Sequence, residues 1–93
     1  KFFEVRRDLS MLIDSSTTFD QVKKLALETE RNYLKEVSIF DVYQGKGIPE
    51  GKKSYAVSFV MQDEQATMKD SKIDGIMNNL VRVFKEKLGA ELR

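Results

Sequence analysis

The sequence has no cysteine, no histidine and no tryptophan, and only one proline and five glycines among 93 residues. Each absence removes a class of chemistry. Without cysteine no disulfide can stabilise the fold, which suits a reducing compartment. Without cysteine or histidine there is no structural zinc site and no Cys- or His-based nucleophilic triad. No apolar run approaches the roughly 20 residues that span a bilayer. The 16 basic and 15 acidic residues leave a net charge of +1, so the whole-domain basic excess of a nucleic-acid binder is missing. A chain of this length buries only about 60–65% of its unfolded surface, so its stability is modest. It begins at Lys1, not Met, and no charged-then-apolar leader follows. We therefore expect residues 1–93 to be a single domain of a longer protein.

What is present is well punctuated. The single proline, Pro49, sits in Gly45-Lys46-Gly47-Ile48-Pro49-Glu50-Gly51, with three of the five glycines. This stretch reads as a loop. Before it, Leu9, Met11 and Ile13 alternate with Asp8, Ser10 and Leu12, the pattern of a short strand. Thr18 and Gln21 have the spacing of a capping box, ahead of Phe19, Val22, Leu25, Ala26 and Thr29 at helical intervals. Asn32 is expected to end that helix in a left-handed conformation. Leu34 to Gln44 is rich in β-branched and aromatic residues and reads as a strand. Its apolar phase switches between Ile39 and Phe40, which points to a bulge or to burial on both faces. Tyr55, Val57, Phe59 and Met61 alternate with Ser54, Ala56, Ser58 and Val60 in the cleanest strand of the chain. A second helix opens at Asp70 or Ser71 and carries Ile73, Ile76, Met77, Leu80, Phe84 and Leu88 on one face. Gly89 ends it, and Ala90 to Arg93 has room for a last short strand.

The order β-α-β-β-α-β predicts an α+β, ferredoxin-like fold, the split βαβ arrangement, with four antiparallel strands and two helices. Right-handed crossovers place both helices on one face and leave the other open. Counting by twos, Tyr55, Val57, Phe59 and Met61 face the helices, and Phe40 and Val42 share that phase. Asp41, Tyr43, Ser54, Ala56 and Ser58 then face outward. From Gln44 to Val60, three lysines against Glu50 leave a local charge of +2.

An exposed tyrosine beside small residues has room to stack a base, a carboxylate can accept from guanine N–H groups, and nearby lysines can neutralise phosphate. The plainer reading of the same residues is a half-buried edge aromatic and a solvated carboxylate. Arg6-Arg7-Asp8 reads either as phosphate contacts or as a surface ion pair. Gly45-x-Gly47 lies between two strands, with no helix end to bind a pyrophosphate. No carboxylate pair is arranged for catalysis.

Three stretches carry a family likeness: Arg6-Arg7-Asp8-Leu9-Ser10, Phe40-Asp41-Val42-Tyr43-Gln44-Gly45 and Pro49-Glu50-Gly51-Lys52-Lys53-Ser54. In their order and spacing, and through to Lys87-Leu88-Gly89-Ala90-Glu91-Leu92-Arg93, the chain resembles the C-terminal ferredoxin-fold anticodon-binding domain of phenylalanyl-tRNA synthetase beta subunits. The resemblance implies recognition of the phenylalanine tRNA anticodon. It implies that Tyr43 stacks on the first anticodon base, a guanine, and that Asp41 and Ser54 make polar contacts near it. It places Arg7, Lys52 and Lys53 at basic positions with RNA-backbone or structural roles. It further implies no catalytic residue, cofactor or metal in this domain, and neither DNA nor a membrane as partner. The parent would be an ATP- and magnesium-using aminoacyl-tRNA synthetase of alpha and beta subunits, cytoplasmic and heterotetrameric. Two departures stand out, Phe3 where the family commonly has Pro, and Lys69-Asp70-Ser71-Lys72 at the second helix start. Ferredoxin-like folds also serve as regulatory amino-acid-binding modules and as subunit-contact domains, and those remain the alternatives.

Overall fold

A computed structural model describes residues 2–93. Its elements are β1 (Val5–Asp14), α1 (Phe19–Thr29), β2 (Leu34–Tyr43), β3 (Lys52–Met61), α2 (Asp70–Leu88) and β4 (Glu91–Leu92). The strands form one antiparallel sheet in the order β2-β3-β1-β4. Each helix carries the chain past one strand. β3 lies between β1 and β2, and β1 lies between β3 and β4. This is the ferredoxin-like arrangement expected from the sequence.

The helix ends follow local chemistry. The Thr18 hydroxyl accepts the Gln21 N–H at 3.2 Å, and the Gln21 side chain accepts the Thr18 N–H at 2.8 Å. Both are donors that no helical carbonyl can reach, so the box fixes where α1 starts. The exit of α1 differs from expectation. No non-glycine residue among those described has a positive φ, so Asn32 is not left-handed. The Glu30 carboxylate instead accepts the Asn32 and Tyr33 N–H groups at 3.1 and 3.0 Å. A side chain thus does the work of a left-handed cap. At the end of α2, Gly89 does turn left-handed, at φ 64°. Its N–H reaches the Lys85 carbonyl at 3.1 Å, and the Ala90 N–H reaches the Phe84 carbonyl at 3.2 Å. That pairing satisfies two end carbonyls and aims the chain into β4.

The core lies between the helices and one face of the sheet. β1 gives Met11 and Ile13, β2 gives Leu34 and Val37, and β3 gives Tyr55, Val57, Phe59 and Met61. Val22 and Ala26 of α1, and Ile73, Ile76, Leu80 and Phe84 of α2, close over them. Phe59 and Phe84 pack with ring centres 6.0 Å apart, a contact worth about 0.5–1.5 kcal/mol beyond the area buried. The buried Tyr55 hydroxyl donates to the Thr17 carbonyl at 3.2 Å, so its polar end is satisfied.

β1 starts earlier than its alternation suggests. Arg6, Arg7 and Asp8 pair with Val60, Phe59 and Ser58. Their own propensity for strand is low, and pairing with the central strand overrides it. Edge strand β2 carries two register shifts, between Leu34 and Glu36 and between Ile39 and Asp41. Such bulges add twist and make an edge a poor template for another strand.

Candidate nucleic-acid interface

Register sorts the face away from the helices into rungs. One rung is Tyr43 of β2, Ser54 of β3, Leu12 of β1 and Glu91 of β4. The next is Asp41, Ala56 and Ser10, and the next Ser38, Ser58 and Asp8. Residues directly opposite hold their Cβ atoms about 4.5–5.5 Å apart. Tyr43, Asp41 and Ser54 therefore form one patch.

The floor of that patch is sunken. Ser54, Ala56 and Ser58 are only 7%, 8% and 3% exposed, although both helices pack on the other face. They lie on a central strand and are shorter than the side chains around them. Tyr43, Asp41 and Phe40 rise on the β2 side, with Leu12 and Asp8 on the β1 side. On the open face the small residues of β3 are thus covered by the larger side chains of the flanking strands.

Phe40 departs from the expectation that it faces the helices. The register skips it, so it is the extra residue of the bulge. It is 54% exposed, and the Arg6 guanidinium carbon lies 5.7 Å from its ring centre. Arg6 is opposite Val60, in the phase of Ser58 and Ala56. Phe40 therefore lies on the open face. Counting by twos fails here because a bulge places two consecutive residues against one partner. Val42 keeps the helix-side phase through its pairing with Tyr55, yet on the edge strand it is half-exposed.

Tyr43 is half-exposed and held by the hairpin loop. Its hydroxyl donates to the Lys46 carbonyl at 2.8 Å. The ring lies against Gly45, whose φ of 130° is a conformation that side-chain-bearing residues rarely adopt. The loop closes with Ile48 N–H to the Gly45 carbonyl at 2.9 Å and Lys52 N–H to the Pro49 carbonyl at 3.1 Å. A third bond, Ser15 N–H to the Gly51 carbonyl at 2.9 Å, ties the loop to the turn after β1.

The basic residues divide. Lys52 lies opposite Asp14, in the phase of the open face, and its ammonium meets the Asp14 carboxylate at 2.7 Å. That hydrogen bond raises the Lys52 pKa above its ordinary value of 10.5, against the opposing effect of desolvation and with help from the charges of Asp14 and Glu91. Lys53 and Arg7 pair with Ile13 and Phe59, on the helix side of the sheet. The Lys53 ammonium sits 4.4 Å from the Tyr55 ring centre. The Arg7 guanidinium donates to the Arg6 carbonyl at 2.9 Å. Of the six residues singled out from sequence, the structure brings together Tyr43, Asp41 and Ser54, with Lys52 on the same face. Arg7 and Lys53 lie on the other. Arg6 and Asp8 form an ion pair at 3.2 Å, the plainer of the two readings of that stretch.

From the Ser58 rung to the Lys52 rung, the open face carries Asp8, Asp41, Glu91 and Asp14 against Lys52. This surface repels phosphate and offers hydrogen-bond acceptors. It suits the edge and plane of a base better than a nucleic-acid backbone. Sequence reasoning missed Phe40 and Arg6 as open-face residues. The phase switch at Ile39 was the available signal, and it marks the bulge without saying which way Phe40 turns.

Residues 1–93 match the family described as the ferredoxin-fold anticodon binding domain. Over its whole length the chain is 55% identical to the phenylalanine–tRNA ligase beta subunit of Bacteroides fragilis and 53% identical to that of Bacteroides thetaiotaomicron. It is 38% identical to the subunit of the same name from Vibrio vulnificus. The chain spans 11% to 12% of the length of these relatives.

Proposed function

We propose that this chain, which belongs to the family of ferredoxin-fold anticodon-binding domains, reads the anticodon of phenylalanine tRNA through the open face of its sheet. The observation that carries the proposal is the meeting of Tyr43, Asp41 and Ser54 beside a sunken floor of small residues. A purine that approaches this face finds an exposed aromatic plane at Tyr43, with Asp41 and Ser54 beside it. For the first anticodon base, a guanine, the Asp41 carboxylate accepts from the N1–H and the exocyclic amine, and the Ser54 hydroxyl gives a further polar contact. The acidic surroundings favour base contacts. Lys46, in the adjoining loop, supports the approach of the backbone. Lys53 and Arg7 take structural roles in this account because they lie on the helix side of the sheet, and Lys52 because its ammonium is held by Asp14.

The same proposal makes the chain one part of a longer beta subunit. That subunit would join an alpha subunit in a heterotetrameric, cytoplasmic phenylalanine–tRNA ligase, with ATP and magnesium handled outside these residues. Among the described residues, no group of three or more Asp, Glu, Cys or His side chains is placed to hold a metal ion, and no helix is long and apolar enough to cross a membrane. The family match favours RNA recognition over the amino-acid-binding alternative. Tyr43→Ala in the intact protein tests the reading. It is expected to weaken phenylalanine tRNA binding by about 1–3 kcal/mol, with only a small fall in melting temperature from the lost bond to the Lys46 carbonyl. Unchanged affinity in a folded variant overturns the stacking role.

A further inference from the structure

Phe40 has the exposure of a surface residue and the neighbours of a binding site. A half-exposed phenylalanine on an edge strand is a liability unless something covers it. The bulge at Ile39–Asp41 lets it share the open face with Asp41, and Ser38 and Ser58 are the neighbouring rung on that face. Arg6 stands over the ring, its guanidinium carbon 5.7 Å from the ring centre, and Asp8 fixes the same guanidinium through its Nε at 3.2 Å. An aromatic plane beside an oriented guanidinium is a combination that stacks a base and meets its phosphate. Tyr43 lies three residues along β2, with a rise of about 3.3 Å per residue before the bulge shortens it. The backbones of the two residues therefore lie about 10 Å apart along the strand, with Asp41 between them.

We infer that Phe40 and Arg6 form a second nucleotide position on the open face, taking a nucleotide adjacent to the base that stacks on Tyr43. Phe40 supplies the stacking plane. Asp8 engages only the Arg6 Nε, at 3.2 Å, so the terminal N–H groups of Arg6 can donate to that nucleotide's phosphate. The inference rests on the anticodon-reading proposal and extends it from one base to two. It also assigns the bulge a role, since a regular strand continuing from Ile39 would put Asp41 on the helix side, and the bulge lets Phe40 and Asp41 share the open face.

Affinities of the intact protein for a phenylalanine tRNA transcript test this, together with two transcripts abasic on either side of the first anticodon position. Phe40→Ala is expected to lose roughly 5- to 150-fold in affinity for the unmodified transcript. That loss disappears on one of the two abasic transcripts. Phe40→Leu, which keeps apolar cover on the sheet, loses affinity in the same way, so a folding defect is separable from a stacking defect. Arg6→Gln lowers the slope of log affinity against log salt by about 0.7, the value for one single-strand phosphate contact. Wild-type affinity in Phe40→Ala, or an equal loss on all three transcripts, overturns the inference. If Tyr43→Ala weakens binding and Phe40→Ala does not, the second position fails and the anticodon reading stands. If neither weakens binding, both fail.

Discussion

Strand β3 has two faces, and both are buried for opposite reasons. Val57, Phe59 and Met61 are fully covered because helices pack on them. Ser54, Ala56 and Ser58 are almost as inaccessible without any helix above them. The first set is buried by its own size and hydrophobicity. The second is buried because its neighbours are taller. One face buries its side chains under helices, and the other is covered only by the side chains of the flanking strands. Low exposure on a sheet is therefore not by itself a sign of core. What matters is whether an element or only neighbouring side chains do the covering.

That contrast can be broken from either side. Phe59→Ala removes a large ring from the packed face and its contact with Phe84. It is expected to destabilise the fold by about 3–5 kcal/mol, read as a shift in the denaturant midpoint. On the open face the effect moves from stability to binding. Ala56→Leu forces a larger side chain in beside Asp41 and Tyr43. It is expected to cost about 1–3 kcal/mol of stability, less than Phe59→Ala, and to weaken tRNA binding by displacing its neighbours on the open face. If Ala56→Leu unfolds the protein as Phe59→Ala does, the two faces are not different in kind.

Smaller effects sharpen the picture away from that patch. Thr18→Ala removes one half of the capping box and is expected to cost about 0.5–2 kcal/mol by thermal melting, with no change in tRNA affinity. The Lys52–Asp14 pair gives the smallest effect. Its hydrogen bond raises the Lys52 pKa above 10.5, so its stabilisation is present at neutral pH and is lost as pH rises through that raised value. The melting temperatures of wild type and Lys52→Gln should therefore converge at strongly alkaline pH. A difference that persists there means that the pair contributes through packing and not through charge.

Much of the fold was legible because local and global signals agreed. The Thr18–Gln21 box, the Gly89 stop and the alternation from Tyr55 to Met61 each named an element that formed. The small outward residues of β3 were legible too, and they located the patch. Other features were set by partners distant in sequence. Arg6 to Asp8 became strand because β3 was there to pair with them. Lys52 found Asp14 across 38 positions of chain, which no local pattern shows. Asn32 lost its expected cap role to a carboxylate two residues earlier. Phe40 is the most instructive case. The sequence showed that the phase broke at Ile39, but the direction in which an extra residue turns depends on the twist of the edge strand and on Arg6 across the sheet. Sequence patterning works while the period is constant, and a bulge is where it stops being constant.

The central claim is that the open face of this chain engages the anticodon. Footprinting phenylalanine tRNA with the parent protein, with and without residues 1–93, tests it most directly. The account predicts that the anticodon is protected by the intact protein and becomes accessible when these residues are removed, while contacts elsewhere on the tRNA remain. Anticodon protection that persists without them would contradict it.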